Sequence, residues 1–322
     1  MEKIFKNLSL ISATFVLVLL VSIFISLFNS AKPSIDEFGL GFITESAWEK
    51  DVPIENSVTH LATDAQKIKP EPAVSEDAYE DDILAAYEDE DEPLMRTIYG
   101  GLIPIVGTLL STLIAMVFAL PIAMGIAVFL AEIAPKKVSN IVGIAIELLA
   151  AIPSIIFGMW GLFYFAPIIQ SVVGGYQVSL LTAGLVLGVM ILPFMAAITR
   201  DSMRTTPDVL KESAYALGAT KFEVIKDVIF PYSKKGIIGS IILALGRALG
   251  ETMAVAFLIG SVFVMPHKLN DPTISIPVAM ANNFGEATGL TLSSLFYLAF
   301  LLFIISFVVI SVAKFYFLRK AD

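Results

Sequence analysis

Long apolar runs are the feature that most constrains this chain. Six runs are each long enough to cross a bilayer; they lie at about 8–28, 101–131, 141–169, 178–199, 236–264 and 291–317. Backbone N–H and C=O groups within hydrocarbon must be hydrogen-bonded inside the protein, so runs of this length form helices. The whole chain is 57% hydrophobic and its mean hydropathy is +0.82. The sequence therefore predicts an all-α polytopic membrane protein with six transmembrane helices.

Several function classes are excluded by what the sequence lacks. There is no cysteine, so neither a disulfide nor a thiolate metal site can form. The two histidines, His60 and His267, are far apart, which does not favour a metal site. No nucleophile–base pair or ligand cluster indicates an enzyme or a bound cofactor. No Gly-x-x-x-x-Gly-Lys-Ser/Thr loop is present, so the chain cannot itself hydrolyse ATP.

The chain divides into three regions. Residues 1–28 form the first transmembrane helix, which we expect to be retained because its apolar run is long for a signal peptide. Residues 29–97 form an acidic segment, and its section 52–92 is predicted to be solvated and largely disordered. Cation binding or partner docking is the alternative role for that section. Residues 98–322 form the membrane core.

The distribution of Lys and Arg predicts the orientation. Basic residues cluster in the loops after the second, fourth and sixth runs, whereas residues 170–177 carry none and residues 265–290 carry only Lys268. Because positive charge favours the cytoplasmic side, both termini are predicted to be cytoplasmic and residues 29–97 to be extracytoplasmic.

Two charges interrupt the fifth apolar run. Arg247 and Glu251 lie four residues apart, which would place them on one face of a helix over 236–264. A charge at membrane depth costs about 2.5–3.5 kcal/mol on insertion scales and marks a candidate functional site. The alternative is a structural ion pair that helps the helices to pack.

The loop 200–235 is predicted to form a helix–turn–helix outside the membrane. Thr206 and Pro207 resemble an N-cap followed by proline at the first helical position. Leu210, Ala214 and Leu217 recur on one face, and Gly218 suits the position after the helix end. A second short helix is predicted to end at Pro231. The exposed apolar face indicates either a docking element for a partner or a helix that lies on its own domain or on lipid.

Four stretches resemble a known family. Glu212-Ser-Ala-Tyr-Ala-Leu-Gly218, followed after nine residues by Val228-Ile-Phe-Pro231, resembles the EAA loop of ABC importer permeases. The stretches 147–154, 246–255 and 275–287 resemble the PstC-type permeases of phosphate ABC importers. The resemblance covers the first helix, the region 42–48 and everything from about residue 98.

The resemblance implies a MetI-like permease core and a transport function. The chain would be the transmembrane subunit that moves inorganic phosphate into the cytoplasm across a bacterial inner (plasma) membrane. Its implied partners are a PstA-type second permease, two ATP-binding subunits that use ATP and Mg, and an external phosphate-binding protein. The alternatives are a permease for another oxyanion, such as sulfate, molybdate or phosphonate, and an ion-coupled secondary transporter.

The resemblance also gives roles to individual residues. Arg247 would bind phosphate oxygens through its planar fork, and Glu251 would hold the guanidinium between passages or repel the anion. The candidate pathway residues are Arg247, Glu251, Thr252 and Ser154. The candidate ATPase-coupling residues are Glu212, Ala214, Leu217, Gly218 and Leu210. The candidate structural or gating residues are Glu147, Pro153, Asn282, Asn283 and Glu286.

Overall fold

A computed structural model describes residues 2–53 and 95–319 of the chain. Within these residues, six stretches of helix are long and apolar enough to cross a membrane, which confirms the predicted number of spans. They are Ile4–Phe38, Leu102–Ile133, Ser154–Val173, Leu180–Arg204, Lys221–Leu249 and Gly289–Phe315. The acidic section predicted at 52–92 lies, except for its first two residues, outside the described residues.

The elements follow one another in a simple order along the chain. The first part comprises α1 (Glu2–Phe38), α2 (Gly41–Thr44), β1 (Trp48–Pro53) and β2 (Met95–Tyr99). The membrane core begins with α3 (Leu102–Val128), α4 (Lys136–Ala150), α5 (Ser154–Trp160), α6 (Ala166–Val173) and α7 (Leu180–Arg204). It continues with α8 (Asp208–Ala216), α9 (Lys221–Glu223), α10 (Phe230–Leu249), α11 (Met253–Ala256), α12 (Ile276–Asn283) and α13 (Gly289–Arg319). Short π-helical segments occupy Phe129–Ile133, Gly161–Phe165 and Val224–Ile229.

Helix α7 is the centre of the bundle. Its most apolar window is 61% buried, a larger share than in any other candidate span of the described residues. It packs along α3, where Gly184 lies against Ile114 and Gly188 against Phe118 so closely that an added Cβ would overlap the neighbour. Small residues at such contacts let helix backbones approach and gain dispersion energy in a membrane. We call the end of the bundle that carries Arg204 and α8 the basic end.

Two predicted single helices are interrupted in the structure. The helix predicted over 141–169 is wrong, because α4 ends at Ala150 and α5 starts after Pro153, which has extended backbone angles. The helix predicted over 236–264 is also wrong, because α10 ends at Leu249 and Gly250 leaves the helical conformation. Apolar composition did not reveal either interruption, because the residues that follow are apolar as well.

Three prolines in the other helices do not end them. Pro104 lies in the first turn of α3, where the missing N–H needs no partner, and Pro121 lies inside the same helix without ending it. Pro231 does not end a short helix, as predicted, but lies in the first turn of α10. The π segment just before it continues the helix from Lys221, so this span begins at Lys221.

The chain after α10 turns back into the bundle. Leu258, Ile259 and Ile276 have no exposed surface. The carbonyl of Leu258 accepts a hydrogen bond from the N–H of Ser179 at 2.8 Å, just before α7 begins. Further carbonyls of this segment accept from the N–H groups of Leu180 and Leu181. The irregular segment and the first turn of α7 therefore satisfy one another's backbone groups.

The first part of the chain docks on this core. Phe42 is fully buried and stacks on Tyr297 of α13, with 4.4 Å between ring centroids. Trp48 stacks on Phe263 at 4.7 Å. Strand β1 pairs with β2 in an antiparallel ladder, which was not predicted from the sequence. Helix α1 continues beyond the predicted boundary at residue 28, because the buried Ser34 bonds to α13.

A pair of glycines in α3 tests the close contact between this helix and the segment before α12. A Cβ added at Gly107 would overlap the carbonyl oxygen of Ile274, whereas one added at Gly125 meets nothing within 4 Å. We expect Gly107→Ala to destabilise the protein by about 1–3 kcal/mol, as overpacking does. Gly125→Ala, the matched control, should be neutral or stabilising by up to about 1 kcal/mol. Thermal unfolding in detergent measures both, and equal unfolding temperatures for the two variants would contradict the contact.

Candidate functional site

Arg247 lies in the last turn of α10 and its side chain is exposed on the surface of the single chain. Its guanidinium carbon lies 5.8 Å from the centroid of the Phe194 ring on α7. A cation over an aromatic face at this distance is held by the ring quadrupole, and the hydrogen-bond donors stay available. Among the described residues, no carboxylate lies within 4.0 Å of Arg247.

The contact with Phe194 gives the depth of Arg247 in the bundle. Phe194 lies between the two ends of α7, which spans Leu180–Arg204. At 1.5 Å per residue, it is about 21 Å along the helix from Leu180 and about 15 Å from Arg204. Arg247 is therefore near mid-bundle. An exposed arginine at this depth faces water or another protein chain, since lipid would penalise it strongly.

Glu251 does not share a helix face with Arg247, which corrects the sequence prediction. Helix α10 ends at Leu249, and Glu251 lies in the turn that leads to α11. Its Oε1 accepts a hydrogen bond from the N–H of Ala254 at 3.2 Å, so it caps the next short helix. The four-residue spacing implies a shared face only where the helix is continuous, and Gly250 ends it.

Thr252 and Ser154 lie at the two helix interruptions. The hydroxyl of Thr252 is 3.4 Å from the carbonyl of Gly250. Ser154 is the first residue of α5 and is partly exposed. Helix α5 packs on α11, where Gly158 lies against Ala254. The structure thus brings the two interrupted helices together, although they are far apart in sequence.

A second polar cluster lies nearer the basic end. Arg200 is only 5% exposed, and its Nη2 lies 2.8 Å from carboxylate oxygens of both Glu147 and Asp201. Glu147 is on α4, where Gly143 leaves room for the guanidinium, since an added Cβ would overlap Nη1. This ion pair joins α4 to α7. In the sequence, the feature that indicated this ion pair was Glu147, because it is the only acidic residue between Glu132 and Asp201.

Arg204, one turn further along α7, joins three elements at the basic end. Its Nη2 donates to the Ser139 hydroxyl at 2.5 Å and lies 3.4 Å from the carbonyl oxygen of Leu130. Ser139 in turn donates to the Leu130 carbonyl. The start of α4 and the end of the α3 helix are thereby fixed against α7.

Helix α8 projects from the basic end and buries none of its residues. Leu217, just after it, is 91% exposed. Gly218 has a φ of +91°, the left-handed conformation that the sequence predicted for this position. The N–H groups of Gly218 and Ala219 bond back to the last turn of α8, which closes the helix end. Pro207, not Thr206, occupies the N-cap, and the buried Thr206 hydroxyl has no hydrogen-bond partner among the described residues.

The turn after α8 is tied to the next span. Thr220 and Glu223 form a capping box, in which each side chain bonds the other residue's backbone N–H. Ala214 and Ala219 pack on a small second core at the basic end. Its buried members are Ala127, Met203, Val224, Ile229 and Ile237. Through this core α8 contacts the ends of three spans.

Residues 119–320 match the family described as "Binding-protein-dependent transport system inner membrane component". The chain belongs to this family. The matched region includes both Arg247 and the loop 200–235. The protein is accordingly a multi-pass transport permease subunit.

Curated relatives of this permease carry a common name. "Phosphate transport system permease protein PstC" of Pasteurella multocida is 39% identical over 99% of this chain and 92% of its own. The protein of the same name from Haemophilus influenzae is 39% identical over 97% of this chain and 92% of its own length. The "Probable phosphate transport system permease protein PstC" of Methanocaldococcus jannaschii is 33% identical over 74% of this chain and 81% of its own length.

A solved structure supports the fold of the permease. A chain of "Inward facing conformations of the MetNI methionine ABC transporter: CY5 native crystal form" is 21% identical, with a TM-score of 0.51. The similarity covers 67% of this chain and 92% of that one. The predicted MetI-like permease fold is thereby confirmed. Within residues 2–53 and 95–319, no group of three or more acidic or histidine side chains is arranged to hold a metal ion.

The candidate residues on α12 divide between the core and the surface. The first turns of this helix are buried, and the N–H of Ile276 donates to the Thr108 hydroxyl on α3. Asn283 donates to the carbonyl of Ala279 at 2.7 Å. Asn282 on α12 and Glu286, just after this helix, are exposed. These two side chains are thus accessible to a partner, whereas Asn283 is bonded to its own helix.

The turn at Gly218 generates a prediction about α8. A Cβ at Gly218 meets nothing within 4 Å, so only its φ of +91° disfavours other residues. Left-handed backbone costs a non-glycine residue about 1–2 kcal/mol. We expect Gly218→Ala to raise amide hydrogen exchange in α8 about 5–30-fold. Gly218→Asn, the control, should exchange at a rate closer to native because asparagine tolerates this conformation. Unchanged exchange in Gly218→Ala would contradict the strained turn.

Proposed function

We propose that this permease is one of the two membrane-spanning subunits of an ATP-driven importer of inorganic phosphate. The observation that carries the proposal is its 39% identity to a PstC phosphate permease over 99% of the chain. Such near-complete coverage includes the membrane core, the loop 200–235 and the first helix. The alternatives named from the sequence, another oxyanion permease or a secondary transporter, gain no comparable support.

The chemistry of Arg247 suits a phosphate ion in transit. Its planar guanidinium is positively charged and can donate two parallel hydrogen bonds to an oxyanion. The side chain rests on the Phe194 ring at 5.8 Å, and no carboxylate of the described residues lies within 4.0 Å of it. A passing anion can therefore bind without first displacing a carboxylate. Glu251, in the adjoining turn, provides negative charge that favours release.

A second permease subunit would complete the pathway. The exposed side of Arg247 faces out of this single chain at mid-bundle depth. A PstA-type partner packed there would enclose the site and add further donors, since one arginine is a sparse site for phosphate. Thr252 and Ser154, at the two helix interruptions, are the hydroxyl groups of this chain that we place along the same pathway.

Energy would enter through α8 and the turn that follows it. Two ATP-binding subunits, which use ATP and Mg, would dock on the face formed by Leu210, Glu212, Ala214, Leu217 and Gly218. The exposed Leu217 supplies an apolar anchor for such a groove. Closure of the ATP-binding subunits would then move α8 and alternate the access of the pathway. The pair between Glu147 and Arg200 would hold α4 against α7 through this movement, and Pro153 would keep the break between α4 and α5.

An external binding protein would deliver the phosphate at the opposite end. Asn282 and Glu286, which are exposed, are candidate contacts, and Asn283 supports their helix. In this proposal the permease lies in a bacterial inner (plasma) membrane with both termini cytoplasmic. The regions 1–28, 29–97 and 98–322 would then be the first span, an extracytoplasmic segment and the permease core.

The test is a substrate-stimulated ATPase assay on the reconstituted complex of this permease, its partner permease, the ATP-binding subunits and the binding protein. We expect phosphate to stimulate hydrolysis, and sulfate and molybdate to leave it at the basal rate. Stimulation by sulfate or molybdate instead of phosphate would overturn the assignment of the substrate.

Substitution of Arg247 tests the pathway role. Arg247→Ala removes two charge-assisted hydrogen bonds of about 1.5–3 kcal/mol each, so uptake should fall about 100-fold or more. Arg247→Lys keeps the charge but loses the planar arrangement of donors, so its uptake should lie between those of the native protein and Arg247→Ala. Arg96→Ala is the control, because this exposed arginine pairs with Glu37 near the β-ladder. Phosphate uptake measures all three, and native uptake by Arg247→Ala in an intact complex would refute the role.

A further inference from the structure

Helix α8 is attached to its own bundle by few groups. It buries no residue, and its apolar attachment to the second core consists of Ala214, with Ala219 in the turn that follows. Alanine side chains present a smooth surface with a single methyl group, so they do not interlock as larger side chains do. This apolar contact lets the helix rest on the bundle but does not fix its position along the bundle.

A charged contact fixes that position. The Nζ of Lys211 on α8 lies 2.8 Å from Oε1 of Glu132. Their side chains are only 17% and 12% exposed, respectively, so water reaches this pair poorly. Asp208, one turn earlier on α8, places its Oδ1 3.8 Å from the same Nζ and helps to orient it. Glu132 belongs to the π segment that continues α3 without a break.

The surroundings of this pair make it a stiff connection. When one member of a poorly hydrated ion pair moves away, the other is left as an uncompensated charge, which is strongly unfavourable. A displaced α8 therefore carries Glu132 with it. Glu132 lies in the last turn of a continuous helix that runs from Leu102 to Ile133 and packs along α7. The displacement thus reaches the helix that contacts the central α7.

We propose that the ion pair between Lys211 and Glu132 transmits the movement of α8 into the α3 helix. The inference rests on the proposed function, in which ATP-binding subunits displace α8. Both residues are positioning residues, since neither contacts the transported ion. The neighbouring pair of Lys226 and Asp227 does not have this character, because its charges are 4.0 Å apart and its side chains are 66% and 62% exposed.

The chain has no cysteine, so a single introduced cysteine gives a clean reporter. Val117, on α3 and 67% exposed, is a suitable site. Val117→Cys carrying an environment-sensitive fluorophore is assembled with the partner permease and the ATP-binding subunits. We expect ATP to change its fluorescence when the native ion pair is present. The change should be lost, by at least threefold in amplitude, in Lys211→Met and in Glu132→Gln.

Two further variants separate coupling from mere stability. The double variant Glu132→Lys with Lys211→Glu restores an ion pair of opposite sense and should recover the ATP-dependent signal. Lys226→Met, the matched surface control, should keep the signal at its native amplitude. If the single variants do not assemble, the double variant decides, because recovery of assembly and signal requires the pair.

Several outcomes would overturn the inference. They are an absence of ATP-dependent signal with the native pair, an undiminished signal in either single variant, and a double variant that assembles but stays silent. Phosphate uptake by the complex with the native pair is measured in parallel. Failure of that uptake with a normal ATP-dependent signal would count against the proposed substrate and not against the link between α8 and α3.

Discussion

The satisfaction of backbone polar groups away from water is the constraint on which this structure depends. The segment after α10 is not helical throughout, yet parts of it, such as Leu258 and Ile259, are fully buried, so the carbonyl groups there need protein donors. The N–H groups at the start of α7 supply them, from Ser179 to Leu181. Because those groups have no partner within their own helix, one set of bonds satisfies both elements. This exchange allows α10 to end at mid-bundle, with Arg247 in its last turn.

Three cations of the bundle, Arg200, Lys211 and Arg247, differ in their neighbours. Arg200 is held by two carboxylates and Lys211 by one close carboxylate, and each pair joins two helices. Arg247 instead lies over an aromatic ring and is exposed. A neutralised cation stabilises a contact, whereas one that lacks a carboxylate partner attracts an anion from outside. This difference distinguishes the proposed transport site from the structural pairs at the basic end.

Helix α7 connects these features. It carries Phe194 under the proposed transport site, Arg200 in the pair with α4, and Arg204 at the basic end. Close approach to α3 at Gly184 and Gly188 keeps the two helices in register. Movement that enters α3 from α8 therefore acts on the helix that supports Arg247. The proposed coupling path thus needs no long relay of side chains.

The sequence by itself determined the number of spans, the left-handed turn at Gly218 and Arg247 as an unusual charge in an apolar run. These follow from local chemistry: hydropathy, glycine at positive φ, and the penalty for a charge in lipid. Only the tertiary structure decided where α4 and α10 end, that Glu147 pairs with Arg200, and that Glu251 turns away from Arg247. A buried helix and a buried irregular segment have the same apolar composition. Which one forms depends on whether distant backbone groups are present to bond it.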